Sequence, residues 1–301
     1  MILQGDCLDV LKTLDGESVD CVMTSPPYWN LRDYGIEGQL GLEPTFQDYI
    51  TKLCDIFDEV KRVLKKEGTC FVNIGDTYGG GSGGGNTKSN KQISNTGSLV
   101  ARESAGFDKC LLQIPSRFAI EMCNRGWILR NEIIWHKPNC MPSSVKDRFT
   151  VDFEKLFFFT KSKKYYFETQ YEAAVRPFDT QTFGGNKGRN YNPEKGDPNY
   201  RGGNEQWGRT ITGNENRNKR SVWRITTKPY KEAHFATYPE ALCETPIKAG
   251  CPVGGIVLDP FFGAGTTGLV AKKQGRNFVG FELNPEYIKI AEKRLRQEVL
   301  F

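Results

Sequence analysis

The sequence predicts an α/β fold built on a mostly parallel sheet, and three observations carry that prediction. Short apolar runs alternate with segments whose apolar residues recur every three or four positions. Two of those runs stop in stretches unsuited to continuing a strand, Thr24-Ser25-Pro26-Pro27-Tyr28-Trp29 and Asp259-Pro260-Phe261-Phe262-Gly263-Ala264-Gly265-Thr266-Thr267. Between them the periodicity vanishes in a loop-rich region. The organisation expected is two parts of one sheet domain, 1–160 and 222–301, flanking an inserted region over 161–221.

The elements follow in order. Ile2 to Gln4 reads as a short strand ending at Gly5-Asp6, and Leu8, Val10, Leu11 and Leu14 mark a helical turn. Val19 to Met23 is a buried strand that delivers the Ser-Pro-Pro-Tyr tip, where proline cannot extend a ladder. Tyr49, Leu53, Ile56, Phe57, Val60, Val63 and Leu64 keep helical spacing, with Gly68 as the expected left-handed cap. Thr69 to Ile74 is the next strand, so strand, helix and strand form a right-handed parallel crossover. Residues 78–106 are rich in Gly, Ser and Asn and predict a long loop at the same sheet edge. That loop holds Gly-Gly-Gly-Asn-Thr-Lys-Ser, but Asn86-Thr87 break the Gly-Lys pair of a phosphate loop and no helix follows.

Pro115 to Cys123 predicts a helix, and Trp127 to Trp135 with Glu154 to Thr160 predict an antiparallel pair at one side of the sheet. From Tyr165 to Arg220, Gly, Asn, Arg and Lys interleave with Tyr191, Tyr200 and Trp207, a composition suited to phosphate contacts and base stacking. Regular structure returns with Val222 to Ile225, the segment His234 to Pro239 and a helix over Glu240 to Ala249. The strand Gly255 to Asp259, a helix to Gln274, the strand Asn277 to Phe281 and a helix over Pro285 to Arg296 complete the pattern. The final Glu298-Val299-Leu300-Phe301 reads equally as native chain or as the residue of a cleaved tag.

Composition narrows the chemistry. Residues 161–232 hold 15 Lys and Arg against 8 Asp and Glu, so the net charge of +5 is concentrated in one region and predicts a polyanionic partner there. Nine cysteines without a CxxC pair read as reduced core residues, not disulfides or a zinc site. Two histidines, His136 and His234, leave little for a metal centre or a Ser-His-Asp triad, so no metal is expected. No apolar run reaches the roughly 18 residues that span a bilayer, so no membrane partner is expected. The opening residues carry no basic region followed by an apolar one, so a cytoplasmic setting is expected.

A strand followed by a Gly-x-Gly turn and a helix lets backbone N–H groups approach a ligand, and an acidic residue at the next strand end can grip ribose hydroxyls. Asp259, Gly263, Gly265 and Glu282 fit that arrangement, but the third glycine of the dinucleotide fingerprint is missing. Asp259 would repel a pyrophosphate and suits an ammonium group. The pattern therefore favours a zwitterionic, ribose-bearing cofactor, S-adenosyl-L-methionine.

Asp259 to Thr267 together with Thr24 to Tyr28 resembles the amino-group DNA methyltransferases, and the order, catalytic tetrapeptide first and cofactor loop last, resembles their beta group. The resemblance covers about 1–160 and 222–296. It implies a circularly permuted, seven-stranded, mostly parallel Rossmann-like methyltransferase sheet in which the last helix leads back towards Ile2 to Gln4. It implies Ser25, Pro26, Pro27 and Tyr28 as the catalytic tip. Asp6 would contact the adenine ring and Glu282 the ribose, with Phe261, Gly263, Gly265 and Asn284 around the cofactor. Phe235, Thr237, Thr266 and Thr267 would bracket its methionine end. Trp29, Arg32, Arg217, Lys219 and Arg220 are the candidate contacts to double-stranded DNA. A homodimer and a cognate restriction endonuclease are the further partners left open.

The tip suggests a mechanism. An exocyclic amine is a poor nucleophile because its lone pair is delocalised into the ring. Hydrogen bonds from it to Ser25 Oγ and the Pro26 carbonyl favour a more pyramidal nitrogen aimed at the methyl donor, so acceleration comes mainly from positioning. A duplex target must first be flipped out. Ser before Pro-Pro-Tyr resembles the cytosine-N4 enzymes and Asp the adenine-N6 enzymes, so cytosine N4 is the expected target. Adenine, a non-catalytic DNA-binding regulator, and methylation of RNA or of a protein glutamine are the competing readings.

Overall fold

The computed structural model describes residues 1–79, 107–173, 216–227 and 237–297. Most of the Gly-rich loop, Tyr191, Tyr200, Trp207, Phe235 and the last four residues lie outside the described residues. Two compact units emerge, Met1–Glu168 with Ser221–Phe301, and Thr169–Arg220.

The first unit is built on an eight-stranded sheet in the order β1-β10-β9-β2-β3-β5-β4-β8. Its strands are β1 (Ile2–Gln4), β2 (Val19–Thr24), β3 (Leu64–Ile74), β4 (Ile128–His136), β5 (Phe153–Thr160), β8 (Val222–Arg224), β9 (Ile256–Asp259) and β10 (Asn277–Glu282). All run parallel except β5, which is antiparallel to both β3 and β4. Seven of these strands are the expected sheet. The eighth, β8, adds three residues to one edge, where Trp135 Nε1 donates to the Ile225 carbonyl over 2.8 Å. Permutation is visible at the opposite edge: β1 lies beside β10, with Leu3 opposite Phe281, although they stand at opposite ends of the chain.

Helices cover both faces. Alternation along the strands sends Val22, Phe157, Phe159 and Phe281 into one core with α1 (Cys7–Thr13), α2 (Phe46–Val63) and α3 (Ile114–Asn124). The alternate set, Cys21, Met23, Phe71, Phe158 and Val257, packs on α4 (Glu240–Gly250) and α5 (Thr266–Lys273). The last helix, α6 (Pro285–Gln297), adds Ala291 and Leu295 against Phe262 and Leu269 on the α5 side. All nine cysteines are free thiols, and Cys21, Cys54, Cys70, Cys243 and Cys251 are buried. No helix among the described residues is long and apolar enough to cross a membrane.

One boundary departs from expectation. Gly68 does not cap α2, because the helix ends at Val63 and Leu64 is already extended. Gly68 lies inside β3, where a Cβ would meet the Leu64 side chain at 2.6 Å and the Asp20 carbonyl at 3.0 Å. It is needed for close packing, not for a left-handed turn.

The second unit contains an antiparallel pair of β6 (Tyr171–Ala173) and β7 (Asn216–Asn218), with Glu172 directly opposite Arg217. The insert is expected from residue 161, but residues 161–168 belong to the first unit. Tyr165 and Phe167 pack on Phe158 there, and Tyr166 N donates to the Glu67 carbonyl.

Gly280 tests the packing of the cofactor-side core, since a Cβ there would lie 2.2 Å from the Phe262 ring. Gly280→Ala is expected to cost about 1–3 kcal/mol, as overpacked cores do, read as a lowered Tm in thermal unfolding.

Candidate active site

Two strand ends meet at the centre of the sheet. Cys21 pairs with Val257 and Val22 with Leu258, so β2 and β9 deliver Thr24-Ser25 and Asp259 side by side. The chain leaves them on opposite faces, through α2 and α5, and such a divergence opens a crevice at the carboxyl ends of the strands.

Asp259 is the hub of that junction and is completely buried. Its Oδ1 accepts from Thr24 Oγ1 at 2.6 Å and from Phe261 N at 3.0 Å. Its Oδ2 accepts from Thr267 Oγ1 at 2.7 Å and from the Tyr238 hydroxyl at 3.0 Å. Burial pushes the carboxyl above its usual range, against the pull of these donors. Thr267 also lies within reach of the Met23 carbonyl and of the Tyr238 hydroxyl. The carboxylate expected to grip an ammonium group is therefore turned inward, with each oxygen already accepting twice.

The Ser-Pro-Pro-Tyr tip stands on the next layer. Ser25 is half-buried, and its hydroxyl lies 3.4 Å from both Asn73 Oδ1 and the Tyr28 hydroxyl, as donor to either. Asn73, completely buried at the end of β3, has its amide fixed by donation from Nδ2 to the Lys155 carbonyl at 3.1 Å. Tyr28 Oη lies 2.6 Å from Glu154 Oε2 and 3.1 Å from Asn73 Oδ1. Glu154 is in turn paired with Lys137, which sits over the Trp135 ring. Desolvation first, and then the Glu154 charge, push the Tyr28 phenol well above its usual value, so it stays a donor. The ring is seated on Gly75, where a Cβ would come within 2.5 Å of it. Behind the tip, Tyr49 donates to the Pro27 carbonyl at 2.8 Å.

On the cofactor-candidate side, Gly263 and Gly265 adopt φ of +50° and +78°, the left-handed region that favours glycine. A Cβ on Gly263 would meet nothing within 4 Å, so the turn borders open space. Phe261 and Glu282 are half-buried beside it. Glu282 accepts from Gly263 N and Asn284 N, each at 2.8 Å, and desolvation pushes its carboxyl up. Gly5 N donates to the Glu282 carbonyl, which places Asp6 at the neighbouring strand end. Asp6 caps α1 through Leu8 N and Asp9 N, and Asn284 Oδ1 accepts from Glu286 N at the start of α6.

Several expected roles change. Trp29 is core, not a DNA contact: it is 2% exposed, donates to the Glu43 carbonyl at 3.0 Å and packs edge-on against Phe46. Both threonines after the glycine turn direct their hydroxyls inward, Thr267 to Asp259 and Thr266 as acceptor from Arg294 Nη1 at 2.8 Å. Arg32 is half-buried near Tyr34 and Tyr287, whose phenols burial pushes up against the smaller opposing pull of the Arg32 charge. Thr237 is half-buried, two residues before Pro239 at the start of α4. Arg217 and Arg220 both pair with Glu172, at 2.9 and 2.7 Å, while Lys219 N donates to the Gln170 carbonyl. Asn73, Lys137, Glu154 and Tyr238 are not singled out by the sequence. An amide inside the apolar run Phe71 to Ile74 was the available signal for the first. Among the described residues no group of His, Cys, Asp or Glu gathers as a metal site.

A central crevice between a proline-aromatic tip and a glycine turn, on a sheet with one antiparallel strand, defines a Rossmann-like methyltransferase. The DNA methylase profile of the N6/N4 type matches residues 19–293, and the chain belongs to that family. It is 43% identical to the Type II methyltransferase M.XycI of Xanthomonas campestris pv. cyanopsidis, over 98% of this chain and 87% of that one. It is 42% identical to M.Cfr9I of Citrobacter freundii, over 99% and 88%. Among solved structures it shares the fold of the cytosine-N4-specific PvuII DNA methyltransferase, with a TM-score of 0.65, 20% identity and coverage of 98% and 85%. The M1.HpyAVI–SAM complex superposes with a TM-score of 0.56, at 20% identity and 98% coverage of both chains.

Thr24→Val keeps the volume and removes one donor from Asp259. The expected cost is about 1–3 kcal/mol, that of a buried acceptor losing a partner. Because the folded carboxyl already titrates above its unfolded value, and losing a donor raises it further, the deficit should be largest at high pH. It should shrink as pH falls and the buried carboxyl becomes protonated. Urea unfolding across a pH series checks both size and sign.

Proposed function

We propose that this DNA methyltransferase modifies the exocyclic N4 amine of cytosine in a specific duplex sequence, with the base flipped out of the stack. The observation that carries this reading is Ser25, a neutral hydroxyl at the end of β2 whose proton has inward acceptors in Asn73 and Tyr28. Its outward lone pairs remain to accept a hydrogen bond from the target amine. The Ser-Pro-Pro-Tyr tetrapeptide resembles the cytosine-N4 enzymes, and the cytosine-N4-specific PvuII methyltransferase shares the fold.

S-adenosyl-L-methionine, when bound, supplies an electrophilic methyl group. The residues present suit it: Glu282 offers acceptors for the ribose, Asp6 stands at the adjacent strand end for the adenine, and Phe261, Gly263 and Asn284 border the open turn. The first turn of α5, directly after Gly265, suits the methionine carboxylate. Thr237 completes the methionine end in this reading, and Phe235 stays a candidate on the sequence alone. Asp259 serves here by tying the glycine turn to the catalytic strand, not by touching the ammonium.

The protein's own steps are binding and alignment. Ser25 Oγ and the Pro26 carbonyl accept from the amine and turn its lone pair towards the methyl group, and Tyr28, braced on Gly75, presents its ring to the base. Flipping costs a few kcal/mol of stacking and pairing, which phosphate contacts offset. Arg217, Lys219 and Arg220 in the second unit are assigned to those contacts, and a restriction endonuclease of the same target is the partner this reading adds.

Incubation with labelled S-adenosyl-L-methionine and DNA, followed by digestion to nucleosides, should yield N4-methylcytosine; N6-methyladenine as the labelled product overturns the reading. In the same assay Ser25→Ala is expected to lose at least tenfold in transfer while binding the cofactor within twofold of wild type. Replacing Arg217, Lys219 and Arg220 together by Ala should weaken DNA binding. It should also reduce the slope of log affinity against log salt by up to about three, near 0.9 for each lost phosphate contact. An unchanged slope would place the duplex elsewhere.

A further inference from the structure

We propose that Glu154, held by Lys137, is the positioning residue that sets the direction of hydrogen bonding through Tyr28 to Ser25 and so makes Ser25 an acceptor for the target amine. The inference rests on the reading of Ser25 as the group that meets the amine. It adds a function for two charged side chains at the ends of β4 and β5 that neither the tetrapeptide nor the glycine turn accounts for.

Proton counting sets the direction. Tyr28 has a single hydroxyl proton and two acceptors in range, Glu154 Oε2 at 2.6 Å and Asn73 Oδ1 at 3.1 Å. A bond to an ionised acceptor is roughly twice as strong as one to a neutral amide oxygen, so the proton goes to Glu154. Lys137 pairs with the other carboxylate oxygen and leaves Oε2 to receive the phenol. Both groups are little exposed, with 18% of the Lys137 side chain and 17% of that of Glu154 accessible, so water competes weakly for either.

With its proton committed to Glu154, Tyr28 Oη turns a lone pair towards Ser25, and Asn73 Oδ1 does the same, because the Asn73 amide nitrogen is spent on the Lys155 carbonyl. Ser25 is thus faced by two acceptors at 3.4 Å and must donate inward. Its own oxygen can then only accept from the crevice, which is what an incoming N–H requires. Without the carboxylate, Tyr28 donates to Asn73 instead and competes with Ser25 for the Asn73 oxygen, so the Ser25 proton is held inward less firmly. A hydroxyl free to rotate would present its proton to the amine lone pair for part of the time and oppose the attack.

Glu154→Gln tests this without changing volume, since an amide N–H towards Tyr28 reverses the pattern. The expected result is a loss of at least tenfold in kcat, with the S-adenosyl-L-methionine Kd and the KM for DNA within twofold of wild type. Tyr28→Phe removes the same relay, so the double variant Glu154→Gln/Tyr28→Phe should be no slower than the slower single variant. Retention of kcat within threefold in Glu154→Gln, or losses that multiply in the double variant, overturns the proposal. Glu154→Asp guards against mere loss of structure. It keeps a charged acceptor and should retain more activity than Glu154→Gln at equal Tm, and activity at or below that of the Gln variant also counts against the assignment. The readout is total methyl transfer, so N6-methyladenine as product would sink the cytosine reading while leaving the role of Glu154 to stand or fall on the kcat comparison.

Discussion

Everything at the central crevice depends on one buried carboxylate. An ionised group without water costs several kcal/mol unless its oxygens are satisfied, and Asp259 meets that condition with three hydroxyls and one backbone N–H. The donors come from the end of β2, the start of α5, the turn after β9 and the approach to α4. Satisfying the charge therefore fixes four segments to one point. Thr24 immediately precedes Ser25, so the Ser25 hydroxyl inherits its position from the same bond that ties the glycine turn to β2. A purely apolar contact in this place would bury area but would not choose a direction, whereas hydroxyl donors to a carboxylate do.

The sheet makes that point available. β2 and β9 are neighbours at the centre although 235 residues separate Thr24 from Asp259, and their following helices leave on opposite faces. The chain order within the sheet matters little to the chemistry once the strand ends are in place. β1 can be supplied by the start of the chain and still stand beside β10, because a parallel ladder needs only register and a buried face, not continuity. The long insertion falls in the chain between β5 and β8, whereas the crevice is built by the ends of β2 and β9.

The alternating strands and helices were legible in the sequence because each carries its own period, and the two crevice stretches were legible because proline and paired glycines interrupt strands for local steric reasons. Side-chain roles were less so. Trp29 follows the tip and is aromatic, which suggests a stacking surface, yet its indole N–H finds the Glu43 carbonyl and its ring the Phe46 edge. Nothing local distinguishes the two outcomes. Gly68 follows an amphipathic run and reads as a cap, but the constraint that selects glycine there is the Leu64 side chain across the strand start. Asp259 reads as a ligand because acidic residues at strand ends often are, and its three hydroxyl partners are supplied by segments near Thr24, Tyr238 and Thr267. Long-range partners of this kind leave no periodic trace.

The crevice consequently has two polar centres with opposite tasks. Around Asp259 every donor is used inside the protein, which gives rigidity. Around Ser25 the donors also run inward, through Asn73 and through Tyr28 to Glu154, but the chain ends on a half-buried oxygen that faces the crevice. A neutral hydroxyl is the weaker acceptor compared with a carboxylate, and its usefulness depends on being held one way round. The surroundings of Ser25 are built accordingly: Gly75 admits the Tyr28 ring, β5 brings Glu154 to the phenol, and the antiparallel run of β5 is what places one of its first residues at the same sheet edge as the end of β3. Were β5 parallel, Thr160 and not Glu154 would stand at that edge, and the tip would have lost its charged anchor.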